Sequence, residues 1–169
     1  MAENPVATNF IAEFTAQLTS SNSFESADAL VIGVQSTDDG PVIVAPALDD
    51  QAVAGLQDQL EALGVKGKPD EVTKVAGSAT DFNAKVILLT GLGSTDAPPQ
   101  GTPRLDDSAP DTLSAEALRR AAGAATAKLN GNTKVTVALP AESAAHVTAI
   151  AEGATIGTYT FAGYKSSQN

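Results

Sequence analysis

The sequence predicts an α/β domain, a sheet covered by helices. Three observations predict it. Lys85-Val86-Ile87-Leu88-Leu89-Thr90-Gly91-Leu92-Gly93 is a short, continuous apolar run that stops on two glycines, as a central strand buried on both faces does. Strand-like runs and one helix precede it; a loop, an alanine-rich helix, another strand and a closing helix follow. Aromatic residues make up only 4% of the 169 residues and Trp is absent, so the core is built from Val, Ile, Leu and Ala. Close packing of such small side chains suits helices lying tightly on a sheet.

The bulk properties restrict function more than they define it. A hydrophobic content of 43% is enough for the core of one domain. Twenty acidic residues against 10 basic ones give a net charge of -10, which repels phosphate backbones and leaves no basic stripe, so nucleic acid is not an expected partner. The absence of cysteine excludes a disulfide framework, a thiolate metal site and a thiol nucleophile, and a single histidine excludes the usual structural zinc site. No run approaches the roughly 18 apolar residues of a membrane span. The start, Met1-Ala2-Glu3-Asn4-Pro5, lacks the basic and apolar regions of a signal peptide. The expected address is the cytoplasm, with no membrane partner.

Along the chain, residues 1–27 form an N-terminal extension or edge segment. Phe10, Ile11, Phe14 and Leu18 recur at helical spacing, yet Thr8 to Leu18 also reads as an edge strand, and Ser20 to Ser23 as a loop. Asp28 to Val34 is a strand, and Asp38-Asp39-Gly40 turns the chain into a second one, Pro41 to Ala45. Aspartates before a glycine form turns far more often than metal sites. Asp49 and Asp50 open a helix in which Ala52, Leu56, Leu60 and Leu63 share one face. Capping accounts for both carboxylates, without acid–base or metal-bridging work, and Gly64 supplies a left-handed C-cap. Gly67-Lys68-Pro69 is a turn and Glu71 to Ala76 a strand.

After the central strand, Ser94 to Asp111 is a long loop with Pro98, Pro99, Pro103 and Pro110 beside Asp96, Asp106 and Asp107, and mobility is expected of it. Ser114 and Glu116 start a helix whose Leu118, Ala122, Ala125 and Leu129 form an apolar stripe flanked by Arg119, Arg120 and Lys128. Its alanines allow close approach to the sheet. Asn130-Gly131-Asn132 ends it, and Thr133 to Leu139 is a strand with Val135, Val137 and Leu139 inward, closed by Pro140. From about Ser143 a last helix runs through Val147, Ile150, Ala151 and Ala154 toward Tyr159 and Phe161. His146, with no second His, Cys or carboxylate at ligand spacing, reads as a surface or half-buried side chain rather than a base or ligand.

Gly91 and Gly93 invite a phosphate-binding reading, because glycines let backbone N–H groups approach an anion at a helix N-terminus. No helix follows directly, and neither a third fingerprint glycine nor a Gly-Lys-Ser/Thr is present. Termination of a buried strand, with a helix packed closely against it, is the better account. There is no nucleophile elbow and no His-Glu-x-x-His helix.

Three segments in order carry a resemblance: Val86 to Gly93, Leu113 to Ala124, and Ala151 to Lys165, the last with Glu152, Gly153, Gly157, Tyr159, Phe161, Tyr164 and Lys165. Together they resemble the N-terminal domain of the leucyl (cytosol) aminopeptidase family. The resemblance implies a macro-domain-like three-layer α/β/α sandwich around a mixed sheet, spanning residues 28–165, with 166–169 starting a linker to a catalytic domain. It implies a parent that is a cytoplasmic, hexameric metallo-exopeptidase releasing N-terminal residues such as leucine. Two divalent ions, zinc or manganese, would there activate a water and hold the peptide carbonyl. The family's metal ligands, its catalytic Lys and Arg and its Asn-Thr-Asp-Ala-Glu-Gly-Arg motif all belong to the following domain. No catalytic, cofactor-binding or metal-binding residue is therefore assigned to this chain, which is expected to be inactive alone. The implied role is assembly and substrate access, with the catalytic domain and neighbouring subunits of a homo-hexamer as partners. The alternative is a macro-like module binding a nucleotide or ADP-ribose through Gly91 to Gly93, and a third reading is a hydrolase built on the clustered aspartates.

Overall fold

In the computed structural model, which describes residues 27–94, 113–129 and 134–158, the first element is an 11-residue strand, β1 (Ala27–Thr37). Asp38 and Asp39 turn it into β2 (Gly40–Val44), its antiparallel neighbour. The helix α1 (Asp50–Gln57) follows, then β3 (Val72–Ala76), β4 (Ala84–Gly93), α2 (Ala115–Thr126), β5 (Val135–Ala138) and α3 (Ala144–Thr158). The sheet is mixed. β4 lies between β3, antiparallel to it, and β1, parallel to it.

β4 is interior and buried from Ile87 to Gly93, but β1 is the strand that gathers the others. Along one edge β1 pairs with β4; along the other it pairs first with β5, from Ala29 to Ile32, and then with β2, from Gly33 to Thr37. Asp28 fixes the entry. Its carboxylate accepts from Lys85 Nζ at 2.6 Å and from the Lys134 N–H at 3.1 Å, so one side chain ties β1 to the strands on both sides.

Alternation along these strands sorts the core into two layers. Leu30, Ile32, Val34, Ile87 and Leu89 face α1, where they meet Leu56 and Leu60. Ala29, Val31 and Leu88 face the opposite side and meet Ala125 of α2, while Leu92 and Leu139 meet Leu118, Ala121 and Ala154. The result is a three-layer α/β/α sandwich, with α1 on one face and α2 and α3 on the other. Thr90, also on the α2 side and fully buried, donates its hydroxyl to the Ala121 carbonyl at 3.0 Å and so satisfies its polar atom inside the apolar layer.

The helix caps agree with the sequence. Asp49 accepts from the N–H groups of Gln51 and Ala52 at 3.0 and 3.1 Å, and Ser114 accepts from Ala117 at 3.1 Å. Regular α1 stops at Gln57, earlier than the Leu60 and Leu63 spacing predicts. The winding continues as tighter turns, with Gln59 and Leu60 donating to carbonyls three residues back, so Leu60 stays buried. It finishes as a Schellman motif: Gly64 has φ +69°, its N–H donates to Glu61, and the Val65 N–H donates to Leu60. Gln57 has a role that periodicity does not reveal. Its side chain accepts from the Ile43 N–H at 2.8 Å and donates to the Pro41 carbonyl at 2.7 Å, pairing the outer edge of β2 as another strand would.

Gly55 sits on the exposed side of α1, and a Cβ there would meet only Asp81 Oδ2, at 3.7 Å. Gly55→Ala is therefore expected to stabilise the domain by about 0.5–1 kcal/mol through backbone entropy alone. A rise in the urea midpoint at constant m-value is the expected reading, and a fall would mean that α1 is not helical at this position.

Candidate functional site

Open α/β sheets usually bind ligands in a crevice beyond the C-terminal ends of their parallel strands. Here those ends belong to β1, β4 and β5, and the turn between α1 and β3 fills the space beside the first two. Gly67 lies on the end of β1, so close that a Cβ would fall 2.7 Å from the Gln35 carbonyl carbon. Gly91 of β4 lies against the same turn, and a Cβ on it would fall 1.8 Å from the Lys68 carbonyl oxygen. The close neighbour of these glycines is thus a backbone turn, not the helix expected from the sequence.

The hydrogen bonds of this turn decide against a phosphate cradle. The Gly91 N–H donates to the Glu71 carbonyl at 2.8 Å and the Gly93 N–H to the Gly67 carbonyl at 2.9 Å, so both amides already have acceptors. The Glu71 side chain takes the N–H groups of Lys66, at 3.1 Å, and Lys68, at 2.9 Å. A carboxylate of the chain itself occupies the anion position that adjacent amides create. Asp70 adopts φ +65° within the turn and pairs with Arg120, which anchors the turn to α2. Glu71 reads in sequence only as the start of a strand, and nothing in its neighbours marks it as the turn's clasp.

The other candidates do not converge. Asp38 and Asp39 form the exposed β1–β2 turn, closed by Gly40 at φ +120° and by the Thr37 hydroxyl donating to the Gly40 carbonyl at 2.7 Å. Asp49 caps α1 and Asp50 lies in its first turn. A cleft of about 520 Å³ opens beside the start of α1, lined by Leu30, Leu48, Asp49, Asp81, Phe82 and Thr136 among others. Its carboxylates repel anions, and Asp49 is engaged with the helix amides. His146 is half-buried at the start of α3, where its Nδ1 accepts from the Glu142 N–H at 3.3 Å and its own N–H donates to Ser143 Oγ at 3.2 Å. Among the described residues no group of three or more His, Cys, Asp or Glu side chains could hold a metal ion. Asp96, Asp106 and Asp107, with the rest of the proline-rich loop, lie outside the described residues, as do residues 1–26, Asn130 to Asn132 and Tyr159 to Lys165.

What the structure does concentrate is the contact between α2 and α3. A Cβ on Gly153 would sit 2.0 Å from the Arg119 carbonyl oxygen, and one on Gly157 would sit 2.0 Å from Thr126 Oγ1 and 2.3 Å from the Gly123 carbonyl oxygen. The Thr126 hydroxyl, 5% exposed, lies 2.9 Å from the Ala122 carbonyl of its own helix and 3.2 Å from the Ala154 carbonyl of α3. Arg119 pairs with Glu116 and reaches Glu152 of α3 at 3.7 Å. Glu152, Gly153 and Gly157 are residues of the tail segment that carries the family resemblance, and the geometry gives each a packing or pairing role.

Comparison with known proteins bears directly on this domain. Residues 31–168 match the family described as "Cytosol aminopeptidase family, N-terminal domain". The chain is 40% identical over 141 residues to a probable cytosol aminopeptidase of Micrococcus luteus, covering 83% of this chain and 25% of that protein. It is 39% identical over 145 residues to a probable cytosol aminopeptidase of Streptomyces griseus, covering 85% of this chain and 26% of that one. Among solved structures, the bottromycin maturation enzyme BotP superposes with a TM-score of 0.50 at 20% identity, over 83% of this chain and 25% of its own, which shows a shared fold. The chain spans about a quarter of the length of the curated relatives it matches.

Proposed function

From the premise that this chain belongs to the cytosol aminopeptidase family, as its N-terminal domain, we propose that it is the non-catalytic part of a metal-dependent exopeptidase that releases N-terminal amino acids such as leucine. The observation that carries this reading is the family match over residues 31–168 in a chain that spans about a quarter of its relatives' length. On this reading the two divalent ions, zinc or manganese, belong to the remaining three-quarters of the longer protein. They would supply Lewis-acid activation of water there; no residue of this domain is given a step in that chemistry.

The role proposed for the domain is assembly and the shaping of substrate access, in a homo-hexamer whose subunits meet partly through it. Relatives named as cytosol aminopeptidases support a cytoplasmic address. No helix among the described residues is long and apolar enough to cross a membrane. The net charge of -10 adds the expectation that the assembly stays soluble and avoids nucleic acid.

Hydrolysis of a leucine chromogenic amide, with Mn²⁺ or Zn²⁺ present, tests the proposal. Turnover is expected from the longer protein and none from residues 1–169 alone. Metal-dependent turnover by 1–169 would sink the proposal, and so would inactivity of the folded longer protein on a panel of N-terminally unblocked substrates.

A further inference from the structure

We infer that the outward face of α3 is the seat of the polypeptide that follows this domain in the longer members of the family, an inference that rests on the reading of the chain as the N-terminal part of such a protein.

α3 is apolar around almost its whole circumference. Between Ala144 and Thr158 its only carboxylate is Glu152, and its only other ionisable side chain is His146. One half of the helix is accounted for, since Ala149, Gly153 and Ala154 are buried, the last two against α2. The other half is open. Ile156 is 67% exposed and Val147 37%, about half a turn apart in azimuth on the two flanks of that half. Between them lie Ala144, Thr148, Ala151 and Thr155.

The polar atoms on this strip are turned inward. Thr148 donates its hydroxyl to the Ala144 carbonyl at 3.0 Å, Thr155 to Ala151 at 2.7 Å and Thr158 to Thr155 at 2.8 Å, so their protons stay within the helix and their methyl groups share the outer surface. Glu152 is drawn toward Arg119 of α2. The contrast with α1 is informative: its exposed side and the turns that follow carry Asp50, Gln51, Asp58 and Glu61. A chain with a net charge of -10 has carboxylates in excess, yet the open half of α3 holds one, and that one is paired sideways. A helix apolar all round is one that is covered on all sides.

The occupant follows from length and position. Curated relatives are about three times as long as this chain, and the matched family is an N-terminal domain, so their remainder follows it in sequence. α3 is the last described element and ends at Thr158, and the matched N-terminal domain ends ten residues further on, at residue 168. Ten residues reach at most about 36 Å when fully extended. The remainder of the longer protein therefore begins within one domain diameter of this face. Alanine and threonine on the strip suit a partner helix docked at the short end of the usual interaxial range of about 8–10 Å, with Val147 and Ile156 flanking it.

Cysteine accessibility tests the inference, because residues 1–169 contain no cysteine of their own. Ile156→Cys, Val147→Cys and, as a control on the exposed turn after α1, Glu61→Cys are placed both in 1–169 and in the full-length protein. Maleimide labelling is followed by mass spectrometry of the peptide that carries each site. The expected result is labelling at 156 and 147 at least about tenfold slower in the native full-length protein than in 1–169, with the control unchanged and the difference abolished by urea. Equal rates in the two proteins would overturn the inference. Slow labelling in 1–169 itself would overturn it in favour of a segment of this chain as the cover, and protection that vanishes on dilution would overturn it in favour of a second copy. The leucine amide assay separates the two claims: an active full-length protein labelled freely at 156 refutes only the docking face, whereas a protected but inactive one refutes only the exopeptidase reading.

Discussion

Gly91→Ala is expected to cost the domain about 3 kcal/mol or more, measured as a fall in the urea midpoint. The methyl group would lie 1.8 Å from the Lys68 carbonyl oxygen and within 2.8 Å of the Gly67 carbonyl carbon, and backbone atoms cannot rotate aside as a side chain does. Relief requires the 67–71 turn to move. That movement threatens the Gly91–Glu71 and Gly93–Gly67 bonds together, and with them the position from which the Glu71 carboxylate holds the Lys66 and Lys68 amides. Each buried backbone group left unpaired costs about 1–3 kcal/mol, so a single methyl propagates into several losses. β4 itself should survive, because its apolar residues up to Leu89 lie away from the contact. A loss below about 1 kcal/mol would show that the turn slides at little cost, and that the end of the sheet is not rigidly closed.

This closed end marks where the sequence was legible and where it was not. β4 could be read from composition because a continuous Val-Ile-Leu-Leu run has few other places to go in a small domain. The hairpin at Asp38 to Gly40 and the caps at Asp49, Gly64 and Ser114 were legible because each rests on local chemistry, a side chain or a φ value acting within a few residues. The hub of the sheet was not legible. β1 and β4 are both apolar runs, and only the sharing of one edge of β1 by β5 and β2 makes β1 the strand that gathers the others, a matter of tertiary pairing. Periodicity also overran α1, since Leu60 is buried just as it would be in a regular helix while the backbone beneath it has tightened. Gln57 and Glu71 escaped notice for a related reason. A polar side chain that satisfies backbone groups 14 or 16 residues away, or clasps a turn, leaves no pattern in its neighbours. For the candidate site, sequence chemistry gave mainly exclusions, and the resemblance placed the chain in its family. Glu152, Gly153 and Gly157 could be recognised before their role as the seam between two helices was visible.

Gly153→Ala provides the sharper test of that seam, because two effects of known size oppose each other in it. In the middle of a helix, alanine is favoured over glycine by about 1 kcal/mol, the effect expected to stabilise the domain at Gly55. At Gly153 the new methyl group would stand 2.0 Å from the Arg119 carbonyl oxygen and 2.8 Å from its carbon, atoms of the α2 backbone. α3 must then move away from α2, opening the contacts of Ala154 with Leu118, Ala121 and Ala122 and stretching the 3.2 Å approach of the Thr126 hydroxyl to the Ala154 carbonyl. Overpacking of this kind typically costs about 1–3 kcal/mol and more where only backbone can yield. The net expectation is a loss of about 2–3 kcal/mol, opposite in sign to Gly55→Ala although both are the same substitution in an α-helix. Gly123→Ala sets the intermediate case. Its methyl group would meet the Gly153 carbonyl oxygen at 3.2 Å, a contact that a few tenths of an ångström relieve, so its stability should fall between the other two. That order of the three variants in urea unfolding, Gly55→Ala above Gly123→Ala above Gly153→Ala, depends on the distance between the helices and not on helix propensity. If Gly153→Ala instead gained stability, α2 and α3 could not be in backbone contact, and the face of α3 left open to the rest of the longer protein would have to be redrawn.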